Sequence, residues 1–421
     1  MGSLSRHPGA EDFLRELGEV HLSELEFLLA QRLRHLRNPE VPWPRVGLLE
    51  ARALAHAEAL HAGGAGSLVL ARAALAEEDA DRVRAGAYAL ALHGPVGLEE
   101  AVHSLSQAPE EWLPAHFEAL ALVPPPRVAP ALMALLDSPR PVVRASAAQA
   151  LGWSREGEAT RLLPLLNDAM VPVREAAALA LARLRYTPAL PLLESLSLRV
   201  PPDEAAGLLR AALLLGSSSA LEWARHLCAT SCPPPSSLVE LLALAGDERD
   251  VTRLQRWLVS PTLTAPALRA LGILGVPSTV PLLLEYLESA DAAPAAAQAL
   301  ALMTGAPLLR EERLRGELDE EGEEPSGPRV TLPLTDPEPW RQWWKEHQVR
   351  FRQAIRWRHG QPFSTALCLA ELKDSRSPLD VRTRAASELA LHSRRSFGFE
   401  PDWPVARQKQ ALLSAHPELM G

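Results

Sequence analysis

The sequence lacks the residues that hold small secreted domains together and the runs that cross membranes. Three cysteines, Cys228, Cys232 and Cys368, occur in 421 residues, too few and too uneven for a disulfide framework. No stretch approaches about 18 apolar residues without a charge, proline or glycine, so we expect no transmembrane span. The opening residues 1–6 lead into no apolar signal segment. These absences predict a cytoplasmic protein.

Lysine and aromatic residues are also scarce. Arginine supplies nearly all of the 43 basic residues, because the only lysines are Lys345, Lys373 and Lys409. Aromatic residues make up 5% of the chain although hydrophobic residues make up 47%, so the apolar content is mostly Ala, Leu and Val, as in closely packed helices. The net charge of −9 argues against a non-specific nucleic-acid binder, which carries a basic excess.

Motifs that carry common chemistry are missing as well. The sequence has no GxxxxGKS, GxxxxGKT, GxGxxG, HExxH or GxSxG string, so nucleotide, zincin and nucleophile-elbow chemistry lack their usual supports. Cys228 and Cys232 have the i, i+4 spacing that can share a metal, but no second pair supplies further ligands, which favours buried or half-buried thiols. His56 and His61 fall on different helix faces. We therefore predict no catalytic site, no cofactor and no metal.

What the sequence does contain is a repeat of about 30 residues. Residues 143–152 (VRASAAQALG) match residues 173–182 (VREAAALALA). Looser copies of this Ala-rich cassette lie at 83–92, 208–216, 267–272, 294–302 and 381–390. Leucine-rich segments that each predict another helix precede several copies, at 128–136, 161–166, 189–193 and 279–287. Each repeat is therefore predicted to contain a Leu-rich first helix (helix A), a short turn and an Ala-rich second helix (helix B).

This pattern predicts an all-α fold. Small alanines let each helix B approach its neighbours while leucines fill the seams, and hairpins that cannot bury both faces alone are stabilised by stacking. We expect a right-handed α-α superhelical solenoid of roughly six or seven hairpins. An arginine follows the first Val of four cassettes (Arg84, Arg144, Arg174 and Arg382). We expect it to bond an aspartate of the preceding turn, with Asp137 and Asp168 as candidates, rather than a ligand.

Composition divides the chain into four parts. Residues 1–66 predict an N-terminal helical cap and residues 67–309 the repeat solenoid. Residues 310–339 are acidic and proline-rich and predict a mobile loop or linker. Residues 340–421 predict a Trp/Arg-rich helical region. In the cap, leucines at helical spacing predict one amphipathic face: Leu22, Leu25, Leu28, Leu29, Leu33 and Leu36.

The C-terminal region carries the candidate site. One helical face holds Trp340, Trp344, Phe351 and Ile355, and we expect this face to pack against the last repeat. Tryptophan and arginine are enriched at protein-binding hot spots. The predicted partner-binding residues are Trp343, Arg350, Arg352, Arg356 and Arg358.

Residues 70–305 resemble HEAT repeats, particularly the short bacterial kind of bilin-lyase-like proteins. The strings at 340–344 (WRQWW), 356–362 (RWRHGQP) and 384–389 (RAASEL) are similar to the C-terminal signature of an uncharacterised proteobacterial family of HEAT-repeat proteins. Members of that family are often found beside type VI secretion genes. The resemblance implies an adaptor, an effector-loading factor or an immunity protein.

Function is therefore predicted as a non-catalytic scaffold or adaptor whose row of B helices holds a protein partner, such as a secretion component, an effector or a toxin. An immunity protein that occludes a toxin is the main alternative. A HEAT-like DNA glycosylase is a minor one, because it needs Lys and Arg recurring on one face of successive repeats, and here each repeat offers one arginine that turn capping explains better.

Overall fold

A computed structural model describes residues 10–316, 325–393 and 398–415. The chain divides into two compact units. The first comprises Met1–Ala189 and Gly398–Ala411, and the second comprises Leu190–Phe397 and Leu412–Gly421. No helix in the described ranges is both long and apolar enough to cross a membrane.

The first unit consists of helices joined by short turns. Their bounds are α1 Ala10–Arg37, α2 Val46–Ala62, α3 Ala65–Ala74, α4 Ala80–Leu92, α5 Pro95–Gln107, α6 Leu113–Ala121, α7 Pro125–Leu135, α8 Pro141–Ser154, α9 Ala159–Leu162 and α10 Val171–Arg183. A 3₁₀ turn at Leu163–Asn167 extends α9.

The second unit begins with the same alternation and then changes character. Its repeat helices are α11 Leu190–Ser197, α12 Pro202–Leu214, α13 Ala220–Thr230, α14 Ser236–Ala245, α15 Val251–Gln255, α16 Thr264–Leu274, α17 Val280–Tyr286 and α18 Ala293–Thr304. Strands β1 Leu309–Arg313, β2 Arg329–Pro333, β3 Trp357–Arg358 and β4 Gln361–Pro362 and helices α19 Pro337–His347, α20 Thr365–Lys373 and α21 Leu379–His392 follow. The last helix, α22 Val405–Ser414, runs from the first unit into the second.

The hairpins stack in chain order within each unit. In the first unit the second helix of each hairpin packs on that of the next, from α4 to α6, α8 and α10, and in the second unit from α12 to α14, α16 and α18. The predicted all-α solenoid is thus confirmed. The described residues from α3 to α18 form eight hairpins, slightly more than expected, because α5–α6 and α13–α14 also adopt the hairpin although their sequences depart from the cassette.

Small residues set the spacing between stacked B helices, as the alanine pattern predicts. A Cβ atom placed on Gly152 of α8 would lie 2.7 Å from the Cα of Ala180 in α10. The matching position in the second unit, Gly272 of α16, would bring a Cβ within 2.5 Å of the Cα of Ala299 in α18. Backbones this close leave no room for a Cβ atom at the two glycines. The facing positions have no room for more than the methyl group of alanine.

The arginines that open the B helices follow the expectation only in part. Arg174 donates from Nη1 to the backbone oxygen of Asp168, in its preceding turn, at 2.7 Å, whereas Arg144 bonds the carboxylate of another turn. Arg144 donates from Nε and Nη2 to the carboxylate of Asp168 at 2.9 and 3.0 Å, which belongs to the following turn rather than the preceding one. The preceding turn accepts only through a backbone oxygen, that of Ser138 at 2.7 Å. Asp137 pairs instead with Arg161. B helices lie side by side, so a side chain at the start of one faces the turn of the next.

Helix α1 forms one wall of the first unit, where it packs against α2, α3 and α4. The leucines Leu22, Leu25, Leu28 and Leu29 are at most 1% exposed. Helix α6 buries a histidine, His116, which is 1% exposed. Burial lowers the pKa of His116 to about 4, because a charged imidazolium would lose its hydration there.

The predicted loop at 310–339 contains a hairpin instead. Strands β1 and β2 pair antiparallel from Leu309 opposite Pro333 to Arg313 opposite Arg329. Val330 and Thr331 are β-branched and suit a strand, although the charged residues around them obscured this signal. The most acidic part of the predicted loop, residues 317–324, lies outside the described residues.

The continuous helix that we expected after Trp340 is also shorter than predicted. Helix α19 ends at His347, and a 3₁₀ turn, Gln348–Arg352, follows. Trp340 is 1% exposed and donates from Nε1 to the oxygen of Leu334 at 2.7 Å. Ile355 is 62% exposed, so its predicted place on the buried face is wrong, because the helix ends before it.

Candidate functional site

The ends of three successive B helices lie under one stretch of chain in the second unit. Helices α14, α16 and α18 end at Ala245, Leu274 and Thr304, and the last carbonyl oxygens of any helix lack intrahelical donors. Residues 350–360, which we call the capping segment, supply those donors.

Arginine side chains of the capping segment make part of this cap. Arg356 donates from Nε to the oxygen of Leu274 at 2.9 Å and from Nη1 to that of Gly246 at 3.4 Å. Arg350 donates from Nη2 to the oxygen of Thr304 at 3.1 Å. A cation at a helix C-terminus also interacts favourably with the helix dipole, so each arginine stabilises the helix end in two ways.

The backbone of the capping segment completes the cap. The N–H of Trp357 donates to the oxygen of Gly275 at 2.7 Å, and the N–H of His359 donates to that of Leu302 at 2.7 Å. Gly275 and Gly305 follow α16 and α18 with φ of 66° and 64°. A Cβ on Gly275 would lie 2.1 Å from the oxygen of Trp357, and a Cβ on Gly305 would lie 2.6 Å from the carbonyl carbon of His359. Both glycines are therefore required by conformation and by space.

Behind the capping segment lies a buried charge cluster. Arg358 and Glu388 are both 0% exposed, and Nη2 of Arg358 donates to Oε1 of Glu388 at 2.6 Å. Arg358 also lies 3.3 Å from Glu371, which accepts from Arg384 at 2.8 Å. His359 Nε2 lies 2.7 Å from the same carboxylate. Two carboxylates thus balance two guanidinium groups, the condition under which buried charges are tolerated.

The pKa of Glu371 reflects this environment. Burial by itself would raise that pKa, but the hydrogen bond from His359 and the charges of Arg384 and Arg358 outweigh burial and lower it. Glu371 is therefore ionised in the folded protein at neutral pH, and the cluster acts as a structural joint between the capping segment and α20–α21.

A thiol adjoins the cluster. Ligand atoms of Cys368, Glu371 and Glu388 all lie within 4.8 Å of one another, a grouping that could hold a cation. Burial raises the pKa of Cys368 to about 12, so the thiol is protonated, and Arg358 and Arg384 together already balance both carboxylates. The donor set therefore suits the guanidinium better than a metal ion.

The other two cysteines differ in burial. Cys228 is buried, and burial raises its pKa to about 11, whereas Cys232 is exposed. The expectation of a buried thiol is right for Cys228 and wrong for Cys232.

The five predicted partner-binding residues therefore separate into two groups. Arg358 is fully buried, so the prediction that it contacts a partner is wrong, because both of its ion-pair partners come from its own chain. Arg356 is half-buried and engaged with helix ends. Trp343 is half-buried, whereas Arg350 and Arg352 are exposed, and these three remain accessible.

Two accessible residues were missed by the sequence analysis. Val349 is 67% exposed and Ile355 is 62% exposed. Both flank the accessible arginines, and only the end of α19 at His347 reveals that they face water. We call the set Trp343, Val349, Arg350, Arg352 and Ile355 the Trp/Arg surface.

Ring stacking fixes the side chains at one end of the Trp/Arg surface. Trp343 stacks on His347 with centroids 4.4 Å apart and an angle of 11° between planes. The guanidinium of Arg350 lies over Trp343 at 5.3 Å and over Phe351 at 4.8 Å from the ring centres, a cation–π arrangement. In the described part of the chain, Arg352 has no ion pair or side-chain hydrogen bond.

A cavity of about 700 Å³ lies beside the charge cluster, between α18, β2 and α21. Its ionisable lining residues are Arg269, His359, Asp380 and Arg384, and most of the rest are apolar. Thr331 lines it together with His359 and Asp380, whereas no serine, cysteine or lysine among the described residues does.

The C-terminal region also covers part of the B-helix row. Helix α21 packs against α12 and α14, and His392 bonds the oxygen of Leu244 at 2.7 Å. The surface that we expected to hold a partner is thus occupied here by the chain itself.

In the first unit, residues 398–411 contact helix ends in a similar way. Trp403 donates from Nε1 to the oxygen of Trp153 at 2.8 Å, and Arg407 donates to that of Ser154 at 2.6 Å. Glu400 pairs with Arg155 and Arg183 at 3.0 and 2.8 Å. A tryptophan and an arginine thus cap the end of α8, as Trp357 and Arg356 cap the end of α16.

Comparison with known proteins gives only distant likenesses. No family model and no curated protein matches the chain. Among solved structures, the complex of CpcE and CpcF of phycocyanin lyase from Nostoc sp. is 18% identical over 55% of this chain and 85% of the other, with a TM-score of 0.30. A structure of Kap95p with RanGDP is 14% identical over 91% and 52% of the two chains, with a TM-score of 0.37. Importin beta is 13% identical over 92% and 60%, with a TM-score of 0.28.

Proposed function

We propose that this chain is a non-catalytic scaffold that binds another protein through the Trp/Arg surface. The observation that carries the proposal is the exposure of two aliphatic side chains, Val349 at 67% and Ile355 at 62%, beside the exposed cations Arg350 and Arg352. Aliphatic surface left in water gains about 25 cal/mol per Å² when a partner covers it.

The Trp/Arg surface is held rigidly before any partner arrives. The capping segment is fixed to helix ends by its backbone and by Arg356. Arg350 is already placed over the ring of Trp343. Groups that are ordered in advance lose little conformational entropy on binding, which favours their use as hot spots.

The positive charge of the Trp/Arg surface favours a partner with a negatively charged face. Lys345, Arg350 and Arg352 are exposed, and Glu346 is the exposed acid among them. A partner face with apolar residues surrounded by carboxylates would complement it, and electrostatic attraction would raise the association rate.

The biological role that we propose is an adaptor that loads effectors in type VI secretion, with an immunity protein as the alternative. The suggestion comes from the resemblance of residues 340–389 to a family often encoded beside such genes. Deleting the gene would abolish secretion of the effector if the chain is an adaptor. Co-expression with a neighbouring toxin would restore growth if it is an immunity protein.

The binding surface can be tested directly. The partner would be captured on the full-length chain from its native host, identified, purified and titrated against wild type and variants. We expect Trp343→Ala combined with Arg352→Ala to weaken binding at least tenfold. Arg376→Ala, an exposed arginine elsewhere in the second unit, is the matched control and should bind like wild type. Equal affinity of all three proteins would refute the surface.

The non-catalytic part of the proposal has its own test. Purified chain incubated with alkylated DNA should release no base. Base release would instead support the glycosylase alternative.

A further inference from the structure

Helix α1 has a second apolar face that the described residues of the first unit leave uncovered. Phe13, Leu17, Val20 and Phe27 are 54%, 39%, 57% and 54% exposed. Single exposed apolar residues are ordinary on protein surfaces, but several aligned on one helix indicate an interaction site.

These residues follow the spacing of a helix–helix seam. Leu17 follows Phe13 by four residues, Val20 follows Leu17 by three, and Phe27 follows Val20 by seven. The step of seven equals a step of four and a step of three, with Glu24 at the position between them. This is the a/d repeat by which two helices pack knobs into holes. At 100° per residue, the exposed stripe lies nearly opposite Leu22, Leu25 and Leu29, which are buried against the rest of the first unit. One helix thus serves two interfaces.

The charges of α1 indicate what covers the stripe. The first turn carries Glu11 and Asp12, and the last turn carries Arg34, His35 and Arg37. A second α1 lying parallel would bring like charges together. An antiparallel copy would pair acidic with basic ends, and two-fold symmetry would make that pairing twice.

We propose that α1 is the two-fold interface of a homodimer in which two copies of the helix pack antiparallel along Phe13, Leu17, Val20 and Phe27. If Leu17 lies opposite Phe27 of the second copy, Glu11 lies opposite Leu33 of that copy. Arg34 is the next residue, so the two opposite charges lie at nearly the same height along the helix pair. The seam from Phe13 to Phe27 spans about 21 Å, so the interface is small and the dimer should dissociate on dilution.

Light scattering after size-exclusion chromatography over a wide range of concentrations tests the dimer. Wild type should shift from one chain to two as concentration rises. Leu17→Lys with Phe27→Lys should stay monomeric at all concentrations, whereas the control Val69→Lys, 58% exposed on α3, should dimerise like wild type. A monomeric wild type, or a double variant that still dimerises, would overturn the proposal.

Folding and orientation are checked separately. Circular dichroism should show the wild-type melting temperature for the double variant, because both side chains are exposed; if it is lower, Val20→Lys alone takes its place. In a Cys232→Ser background, mixing Leu17→Cys with Phe27→Cys should give the mixed disulfide. A disulfide between two copies of Leu17→Cys in preference to the mixed one would show parallel packing and contradict the charge argument.

Discussion

Arg356 donates from Nε to the carbonyl oxygen of Leu274 at 2.9 Å, although 82 positions separate the two residues in the chain. Leu274 is the last residue of α16, and the same guanidinium reaches the oxygen of Gly246 just beyond α14. One side chain therefore joins the ends of two successive repeats. Arginines that the sequence offers as partner contacts can act instead as caps for the protein's own helices.

Replacing Arg356 should destabilise the second unit. We expect Arg356→Met to lower the free energy of unfolding by about 2 kcal/mol, because two carbonyl oxygens lose a charged donor. Urea denaturation followed by circular dichroism measures the loss. Arg352→Met, at an exposed arginine of the same segment, should change stability by less than about 0.5 kcal/mol. Equal effects of the two substitutions would count against the capping role.

The two glycines under the capping segment provide a second test. Gly275→Ala and Gly305→Ala should each cost about 2–4 kcal/mol, because a left-handed conformation and a close backbone contact both oppose a side chain. Gly216 also has a positive φ, 91°, but nothing lies within 4 Å of its would-be Cβ. Gly216→Ala should therefore cost only about 1 kcal/mol, as thermal or urea unfolding would show. A cost as large as that at Gly275 would mean that the close contact is unimportant.

The buried charge cluster should respond as a unit. Arg358→Met alone should cost about 3–5 kcal/mol, because it leaves Glu388 buried without its main partner and removes one of the partners of Glu371. Adding Glu388→Gln to Arg358→Met removes one stranded charge and should recover part of the loss. Urea denaturation of the two single variants and the double variant gives the coupling energy. Additive losses would show that the groups do not interact.

The stability of the first unit should fall in mild acid because of His116. Its pKa is about 4 in the folded protein and ordinarily 6.5, so the unfolded chain binds a proton that the folded chain refuses between these values. Above pH 6.5 His116 does not affect the free energy of unfolding. As pH decreases from 6.5 towards 4 this free energy falls, and the full loss is about 3 kcal/mol.

Substitution isolates this histidine from other acid effects. His116→Phe should reduce the slope of unfolding free energy against pH between 6.5 and 4, measured by urea denaturation at several pH values. His103→Phe, at an exposed histidine of α5, should keep the wild-type slope. An unchanged slope in His116→Phe would mean that other groups cause the acid sensitivity.

Local patterns predicted most helices and failed where distant contacts decide. The cassettes at 143–152 and 173–182 lie within α8 and α10 as expected, since alanine and leucine periodicity is a local property. The pairing of β1 with β2 was missed, because the charged residues around Val330 and Thr331 obscured the strand signal. Ile355 was assigned to a buried face because periodicity alone does not reveal that α19 ends at His347.

The candidate site shows the same division. The sequence suggested all five partner contacts by residue type alone, and the structure leaves Trp343 half-buried and Arg350 and Arg352 exposed. Arg356 and Arg358 were not distinguished from them, since an exposed arginine and a buried one look alike in sequence. Only the positions of Leu274, Gly246 and Glu388 separate their roles.

The sequence by itself determined that this protein is an array of alanine- and leucine-rich hairpins that stack in order, because those residues can be stabilised only by their neighbours in the chain. Tertiary structure alone decided where the arginines of the capping segment lie, because the backbone oxygens they bond lie at or just beyond helix ends as far as 110 positions away. Long-range hydrogen bonds and ion pairs leave no periodic trace, so the sequence did not show that Arg356 and Arg358 turn inward while Val349 and Ile355 are exposed.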